Sequence, residues 1–490
     1  LRQPPGVIFT YPLDGQVDVP VQARLLFQFT APVDPAALSA DCTVVNGVPQ
    51  GNLCILGEQG VVPVTTEVLG EKGTIVAATS TQLQPGQTYE IYVRPGLLPD
   101  AGNLSSEEPL VTFRTRRSDS APGAPQLISV SGESPRSFGG GDADAPALSH
   151  PVLDHTTLRL VFSEALDERS LIPGTSVTLR RTDGSSSPDN AGVAMTVLLQ
   201  GQHLIVDPDN QLEAGGTYDL TLTGLTDRSG AALPATTLTF VPEASETFEQ
   251  TVEIDEAATS SGPGAALSAM TGAPFNSVVK RSPLIGTATL GVLPGTLRVE
   301  LGDSLKFGGP IPFLLPKGQR LAASELALKL AGVIGLGYQT GSLSFDLLSD
   351  ANGWVTRNKH RPAGQRPDDR EAPLLVDLTF DAALTAADPT GNALATQSLL
   401  NIRLTGEASS VDGQLVLEAA GAIEVELIGV SRSTADLSLR MRTGATPTPS
   451  SIAAPRLVAS APARGETEVA LDVHPQVLLS SAVDLGKVIA

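Results

Sequence analysis

Apolar and polar residues alternate with a period of two in short runs along most of this chain. Turn-forming residues separate the runs. Ala23–Phe29, Leu158–Phe162, Thr296–Leu301, Gly341–Leu347, Leu374–Phe380, Leu399–Leu404, Ile423–Leu427 and Leu437–Met441 all show it. A period of two places every second side chain on one face, so each run predicts a strand with one buried side. Leu321–Tyr338, the most apolar stretch, carries Ser324, Glu325 and Lys329, and its Leu326, Leu328 and Leu330 alternate as a strand does. It falls short of the roughly 18–20 uninterrupted apolar residues of a membrane helix. The pattern predicts an all-β protein with no transmembrane segment in this chain.

The runs fall into repeats. The first segment has Tyr11-Pro12-Leu13-Asp14-Gly15, then Phe29-Thr30-Ala31-Pro32-Val33-Asp34, then Leu83-Gln84-Pro85-Gly86-Gln87-Thr88-Tyr89, then Asp100-Ala101-Gly102-Asn103 and a closing Thr112-Phe113. The second has Phe162-Ser163-Glu164-Ala165-Leu166-Asp167, Leu212-Glu213-Ala214-Gly215-Gly216-Thr217-Tyr218, Asp227-Arg228-Ser229-Gly230 and Thr239-Phe240 in the same order. Each signpost has a physical reason. The Phe ends a strand facing the core, and the Asp after it accepts backbone N–H bonds in a turn or short helical turn. The Gly-containing turn before Tyr launches a strand, and a Tyr at that corner buries its ring and returns its hydroxyl to backbone.

These segments resemble the bacterial Ig-like domain of S-layer and other cell-surface proteins. Residues 5–116 carry nearly the whole pattern. Residues 124–243 carry it more loosely, with a Gly/Asp-rich insertion at Ser137–Ala147 and no Asn after Gly230. Residues 455–490 carry only its first part, ending in Leu479-Ser480-Ser481-Ala482-Val483-Asp484. The resemblance implies tandem β-sandwiches in a secreted or surface-displayed modular protein, where such domains serve as spacers, stalks or assembly modules. The partial copy admits two readings: the chain continues beyond Ala490, or these strands pair with another chain by strand addition. The opening Leu1-Arg2-Gln3-Pro4-Pro5 lacks Met and reads as a mature, processed or partial chain.

Residues 244–450 match no repeat. Their alternating runs, separated by turns such as Pro294-Gly295 and Asp412-Gly413, predict a larger antiparallel sandwich or jelly-roll-like domain between the Ig-like segments. Arg116–Ala124 and Thr443–Pro455 read as linkers. Asn358–Glu371 reads as an exposed charged loop.

Composition narrows the function. The net charge of −21 opposes any surface that tracks phosphates, so nucleic acid is excluded as a partner. Aromatics at 4% leave little for a stacking groove. The two cysteines, Cys42 and Cys54, lie close together and predict one disulfide, which places the chain in an oxidising compartment: extracellular, outer surface or periplasm. The five histidines, His150, His155, His203, His360 and His474, share no metal-ligand spacing, and His150 and His155 read as a solvated turn. No motif for nucleophilic catalysis appears, so no enzyme is expected. Calcium is the one inorganic ligand the sequence suggests. Asp346, Asp350 and Asn352 before Gly353 resemble part of a calcium loop. The sole Trp, Trp354, follows them and is a candidate ligand contact if exposed, or a partly buried strand-end residue.

The expected function is that of a non-catalytic surface protein: a stalk, adhesin or assembly subunit, partnered by itself or by other surface proteins and glycans. The alternative is a carbohydrate-binding or hydrolytic module in 244–450 carried on Ig-like spacers, with a cleft around Trp354 and Tyr338.

Overall fold

A computed structural model describes residues 6–39, 42–70, 73–81, 83–98, 108–118, 123–138, 144–172, 174–183, 192–254, 267–268, 270–272, 274–282, 286–302, 310–329, 337–360, 374–388, 396–411, 414–427, 430–444, 457–461, 467 and 476–479. The fold is β throughout, with four short 3-10 turns in place of helices among those residues.

The first unit is a sandwich of two four-stranded sheets. One runs Val7–Tyr11, Leu25–Phe29, Ile75–Thr79, Thr65–Leu69. The other runs Val111–Arg114, Thr88–Val93, Leu53–Gly57, Gly60–Val61. Phe9, Phe27, Phe29, Ile91 and Phe113 fill the space between them. The second unit repeats the plan. Leu127–Val130, Leu158–Phe162, His203–Pro208 and Met195–Gln200 face Val177–Arg181, Tyr218–Leu222 and Thr236–Phe240.

The repeated signposts do the predicted work in both units. Tyr89 stacks on Phe113 and Tyr218 on Phe240, at 5.4 and 6.0 Å between ring centres. Each hydroxyl returns to backbone, accepting from Gln84 N at 2.6 Å and Glu213 N at 2.9 Å. Asp34 and Asp167 each accept an N–H two residues on and start a 3-10 turn. The Cys42–Cys54 disulfide is formed and ties the exposed Val44–Pro49 excursion to the strand Leu53–Gly57.

The middle region is one twelve-stranded antiparallel sheet. Alternation is compatible with two stacked sheets, but here the pairing closes on itself. Four long strands, Leu374–Ala386, Gln397–Val411, Gln414–Leu427 and Val430–Thr443, pair in chain order. The other four positions round the ring each hold two short strands in tandem. These are Phe248–Ile254 with Ser277–Ser282, Gly286–Gly291 with Gly295–Leu301, Ile311–Leu315 with Arg320–Lys329, and Gly337–Leu347 with Ala351–Thr356. The lower tier closes where Val252 pairs with Thr443 and Trp354 with Asp377. The upper tier closes where Ser277 pairs with Ser438, Val292 bridges Ala323 and Leu343 pairs with Ala386. Neighbouring strands alternate in direction all the way round, so this is an eight-position up-and-down barrel, a closure that removes every edge. In the 455–490 segment, Leu457–Ala461 pairs with Gln476–Leu479; apart from residue 467, the rest of it lies outside the described residues.

Candidate functional site

Two features set this molecule apart from a string of spacers: the barrel's apolar interior and the polar junction between barrel and sandwiches.

Opposed residues of an antiparallel pair project to the same face, so the register identifies the inner wall. Val376, Leu378 and Phe380 alternate with Asp377, Thr379 and Asp381, and the apolar set belongs to the barrel core. Leu417, Ala419, Ile423, Leu437, Leu439 and Met441 continue the same wall. Gly353 has a packing reason. A Cβ there would lie 2.2 Å from the tip of the Phe313 ring, so only glycine lets that ring cross the lower tier. The upper tier carries small residues, Ala323, Ala382 and Ala435, among its leucines.

The outer face is polar because it docks on the sandwiches. Arg159, in the strand Leu158–Phe162, is 1% exposed and reaches into the barrel wall. Its Nε donates to Asp381 Oδ2 at 2.9 Å, Nη1 to Asn352 Oδ1 at 2.9 Å, and Nη2 to Ser349 Oγ at 3.1 Å and Asp350 O at 2.6 Å. Asp381 is completed by Ser349 Oγ–H and Asn401 N–H. Beside it, Lys317 Nζ lies 2.7 Å from Asp207 Oδ2, and Thr157 donates to Asp207 and Asn352. Burial, then the Asp207 charge, push the Asp350 carboxyl up to about 7 against the pull of Lys317.

A second node joins all three units. Asp18 takes two bonds of 2.8 Å from Arg116, sits 2.8 Å from His203 Nε2 and accepts from Asn401. Arg116 also donates to Glu424 at 2.5 Å. Burial opposes the charge on Asp18, but Arg116 and His203 outweigh it and hold the carboxyl well below the usual range. Arg116 therefore is an anchor and not the start of a free linker. Asn358 likewise is pinned: it is 3% exposed and donates to Ile8 O, while residues 361–371 of that expected loop lie outside the described residues. The barrel also sends Met270 into the core of the first sandwich and holds Phe275 under Arg440.

Of the residues predicted as calcium ligands, Asp350 and Asn352 fall inside this junction, and Asp346 lies on the barrel. Asp346 is buried and paired with Arg320, with Ser344 and Thr385 also donating to it. Asp350 Oδ1 accepts from Lys317 N, and Asn352 Oδ1 accepts from Arg159 and Thr157. All three are therefore engaged by protein donors, and no group of three or more metal-ligating side chains forms among the described residues. Trp354 is half-buried and stacks on His150 at 4.4 Å, with 12° between the planes. His150 and His155 are therefore not in a solvated turn: the first lies under Trp354, and the second is 6% exposed beside Asn352. A cleft of about 640 Å³ opens next to this stack, lined by Phe138, Leu148, Arg357, Lys359 and Arg403. The side chain of Tyr338 lies outside the described residues. Sequence reasoning passed over Arg159, Arg116 and Asp18. The one signal for Arg159 is an arginine amid the apolar Leu158-Leu160-Val161-Phe162.

Residues 2–115 and 145–241, which span the two sandwiches, match the bacterial Ig-like domain family. The second match begins at residue 145, within the insertion Ser137–Ala147. The chain is 25% identical over 458 residues to Alkane uptake protein B of Marinobacter nauticus, covering 87% of this chain. It spans 40% of that relative's length. Among solved structures, the N-terminal part of the bacterial S-layer protein SbsC is 14% identical with a TM-score of 0.19, covering 45% of this chain and 43% of that one. Surface layer protein SbsC domains 1–6 is 13% identical with a TM-score of 0.16, covering 91% and 67%. No helix among the described residues is long and apolar enough to cross a membrane.

Proposed function

We propose that this chain is a non-catalytic, surface-displayed module in which two Ig-like sandwiches rigidly mount a β-barrel, and that the barrel receives an aliphatic hydrocarbon. The carrying observation is the closed eight-position ring with an apolar inner wall. A barrel of this size has an interior that side chains fill or that holds one small ligand. The relative's name, Alkane uptake protein B, points to the same class of ligand. The buried ion pairs suit a mount: a charged pair with every lone pair satisfied fixes one relative orientation, where an apolar contact would tolerate sliding. A stalk role is thereby included; adhesion and assembly through 455–490 would be further uses of the same surface. Calcium at Asp346, Asp350 and Asn352 would have to displace Arg320, the Lys317 N–H and Arg159.

Hexadecane binding tests the reading. Purified chain is equilibrated with labelled hexadecane, and retention is compared with that of the Ig-like pair in an unrelated protein. Saturable, near-stoichiometric retention is expected; retention no greater than the control overturns it.

The cleft beside Trp354 supports a second reading, a glycan-binding site between barrel and second sandwich. The His150 ring already occupies one face of Trp354, so a sugar would stack on the other. Quenching of the sole Trp by polysaccharides would support this reading, and unchanged emission across a glycan panel would remove it.

A further inference from the structure

The cleft beside Trp354 has walls from all three units: Asp14 of the first sandwich, Glu133 and His150 of the second, and Trp354, Asp377 and Arg403 of the barrel. Its floor follows from the barrel register. Trp354 pairs with Asp377 across two strands, and opposed residues share a face, so indole and carboxylate lie side by side on the outer wall. Thr356 and Thr379 sit two residues along on the same face and also line the cleft. Arg403, on the next strand opposite Thr379, completes the row. Its Nε donates to Asp377 Oδ1 at 2.9 Å and its Nη2 to Asp377 Oδ2 at 2.5 Å.

The cleft is rich in charge, yet its charges are closed on one another. Lys359 lies 3.5 Å from Asp14, which also accepts the Thr112 N–H. Arg159 is spent on Asp381. Glu133 accepts the Ser149 N–H and adds its field to the Arg403 guanidinium that Asp377 already forks. Arg357 is the one lining cation that meets no carboxylate among the described residues, and it is exposed, where solvent and salt screen it. An ionic ligand would have to displace one of the pairs, and opening a desolvated pair leaves a charge uncompensated. A hydroxyl has no such cost. It donates to a spare carboxylate lone pair or accepts from a spare guanidinium proton while the fork stays closed. The Asp377 and Arg403 side chains are 27% and 24% exposed, so the closed pair can be reached. The whole chain, at −21, also repels polyanions.

We propose that the cleft takes an uncharged, hydroxyl-rich ligand, a neutral oligosaccharide, and turns acidic ones away, with the Asp377–Arg403 pair setting that preference. The inference rests on the reading of the cleft as a glycan site and adds a charge rule to it.

The test follows Trp354 emission in the whole chain. The probes are neutral gluco-, manno- and galacto-oligosaccharides, each beside the same oligomer oxidised at C6 to the uronate. The best neutral oligomer should bind at least about tenfold more tightly than its oxidised form. Its affinity should hold within about twofold between about 0.05 and 0.5 M salt, since no ion pair forms. Asp377→Asn keeps the size and a polar tip, frees Arg403 from its fork, and should raise the affinity for the oxidised oligomer by about tenfold or more. Thermal unfolding of the variant checks the fold. Equal binding of the neutral and oxidised forms by wild type, or no gain for the oxidised form in Asp377→Asn, overturns the charge rule and leaves the glycan reading standing. No emission response to any probe overturns both. If Asp377→Asn does not fold, the methyl esters of the oxidised oligomers, which carry no charge, must bind wild type at least about tenfold more tightly than the acids. Esters that bind no tighter than the acids refute the rule.

Discussion

Arg159 of the second sandwich donates from Nε to Asp381 Oδ2 of the barrel at 2.9 Å, with side chains 2% and 0% exposed. The two residues are 222 positions apart. Removing one partner of such a pair leaves the other charge buried and unpaired, which costs about 3–5 kcal/mol. Arg159→Met should therefore destabilise the chain by that amount in urea unfolding, although Met matches the stem. The double variant Arg159→Met/Asp381→Leu should recover much of the loss, since a buried pair replaced as a unit is near neutral. A single-variant loss under about 1 kcal/mol would show that solvent reaches the junction and that the units are not rigidly mounted.

Stability should fall from about pH 6.5 to pH 8.5. Burial and Asp207 raise Asp350 to about 7; burial and Glu418 raise Glu407 to about 8. The native state then binds more protons than the unfolded chain between the ordinary carboxylate range and those values, so raising the pH through that window disfavours folding. Below about 6.5 three histidines act with the opposite sign and outnumber the two raised carboxylates. Burial lowers His150 and His155, and burial with Lys359 lowers His360 to about 4, so acid favours the unfolded chain there. Asp18, held low, adds a loss that begins as the pH falls through the ordinary carboxylate range and is complete only at its own folded value. A maximum melting temperature near pH 6–7 is expected. Asp350→Asn keeps an acceptor for Lys317 N–H and loses the charge. It should raise the melting temperature by about 2–4 °C at pH 8.5 and less at pH 6. A decrease at pH 8.5 would refute the assignment.

What was legible in the sequence was what local chemistry encodes. The Tyr89 and Tyr218 corners sit five residues after the backbone they bond, so the turn and the strand it launches appear in one window. The Asp34 and Asp167 caps reach two residues. The barrel was legible as strands and not as a ring, because closure rests on Val252 meeting Thr443, and alternation says which face is apolar without saying which strand comes next. The junction was hidden for the same reason. Arg116 read as linker because its carboxylates are Asp18 and Glu424, far off on either side. The Asp346–Asn352 cluster drew attention as acidic residues in a turn, yet Asp346 is taken by Arg320 within the barrel, and Arg159 and Thr157, which engage Asn352, lie on another unit.

The tyrosine corners should contribute equally and independently. Tyr89→Phe and Tyr218→Phe keep the stacked ring and delete the acceptor for Gln84 N–H and Glu213 N–H. Each should cost about 0.5–1.5 kcal/mol. The sites lie in separate sandwiches, so the double variant should show their sum within about 0.5 kcal/mol. A strongly non-additive result would mean that the two sandwiches do not unfold as separate corners but transmit strain through the barrel.

Trp354 supplies a direct readout of docking. It is the sole Trp, it lies on the outer face of the barrel, and its stacking partner His150 belongs to the second sandwich. While the barrel is folded, its emission therefore reports whether those two units are in contact. His150→Ala uncovers one face of the indole and should shift emission to longer wavelength with little loss of global stability, because the ion pairs of Arg159 remain. Arg159→Met should produce the same shift at denaturant concentrations well below those that unfold the sandwiches, as the junction opens first. The order matters. If the emission change in Arg159→Met coincides with global unfolding followed by circular dichroism, barrel and sandwich form one cooperative unit, and the ion pair contributes to that unit as a whole and not to a hinge between its parts.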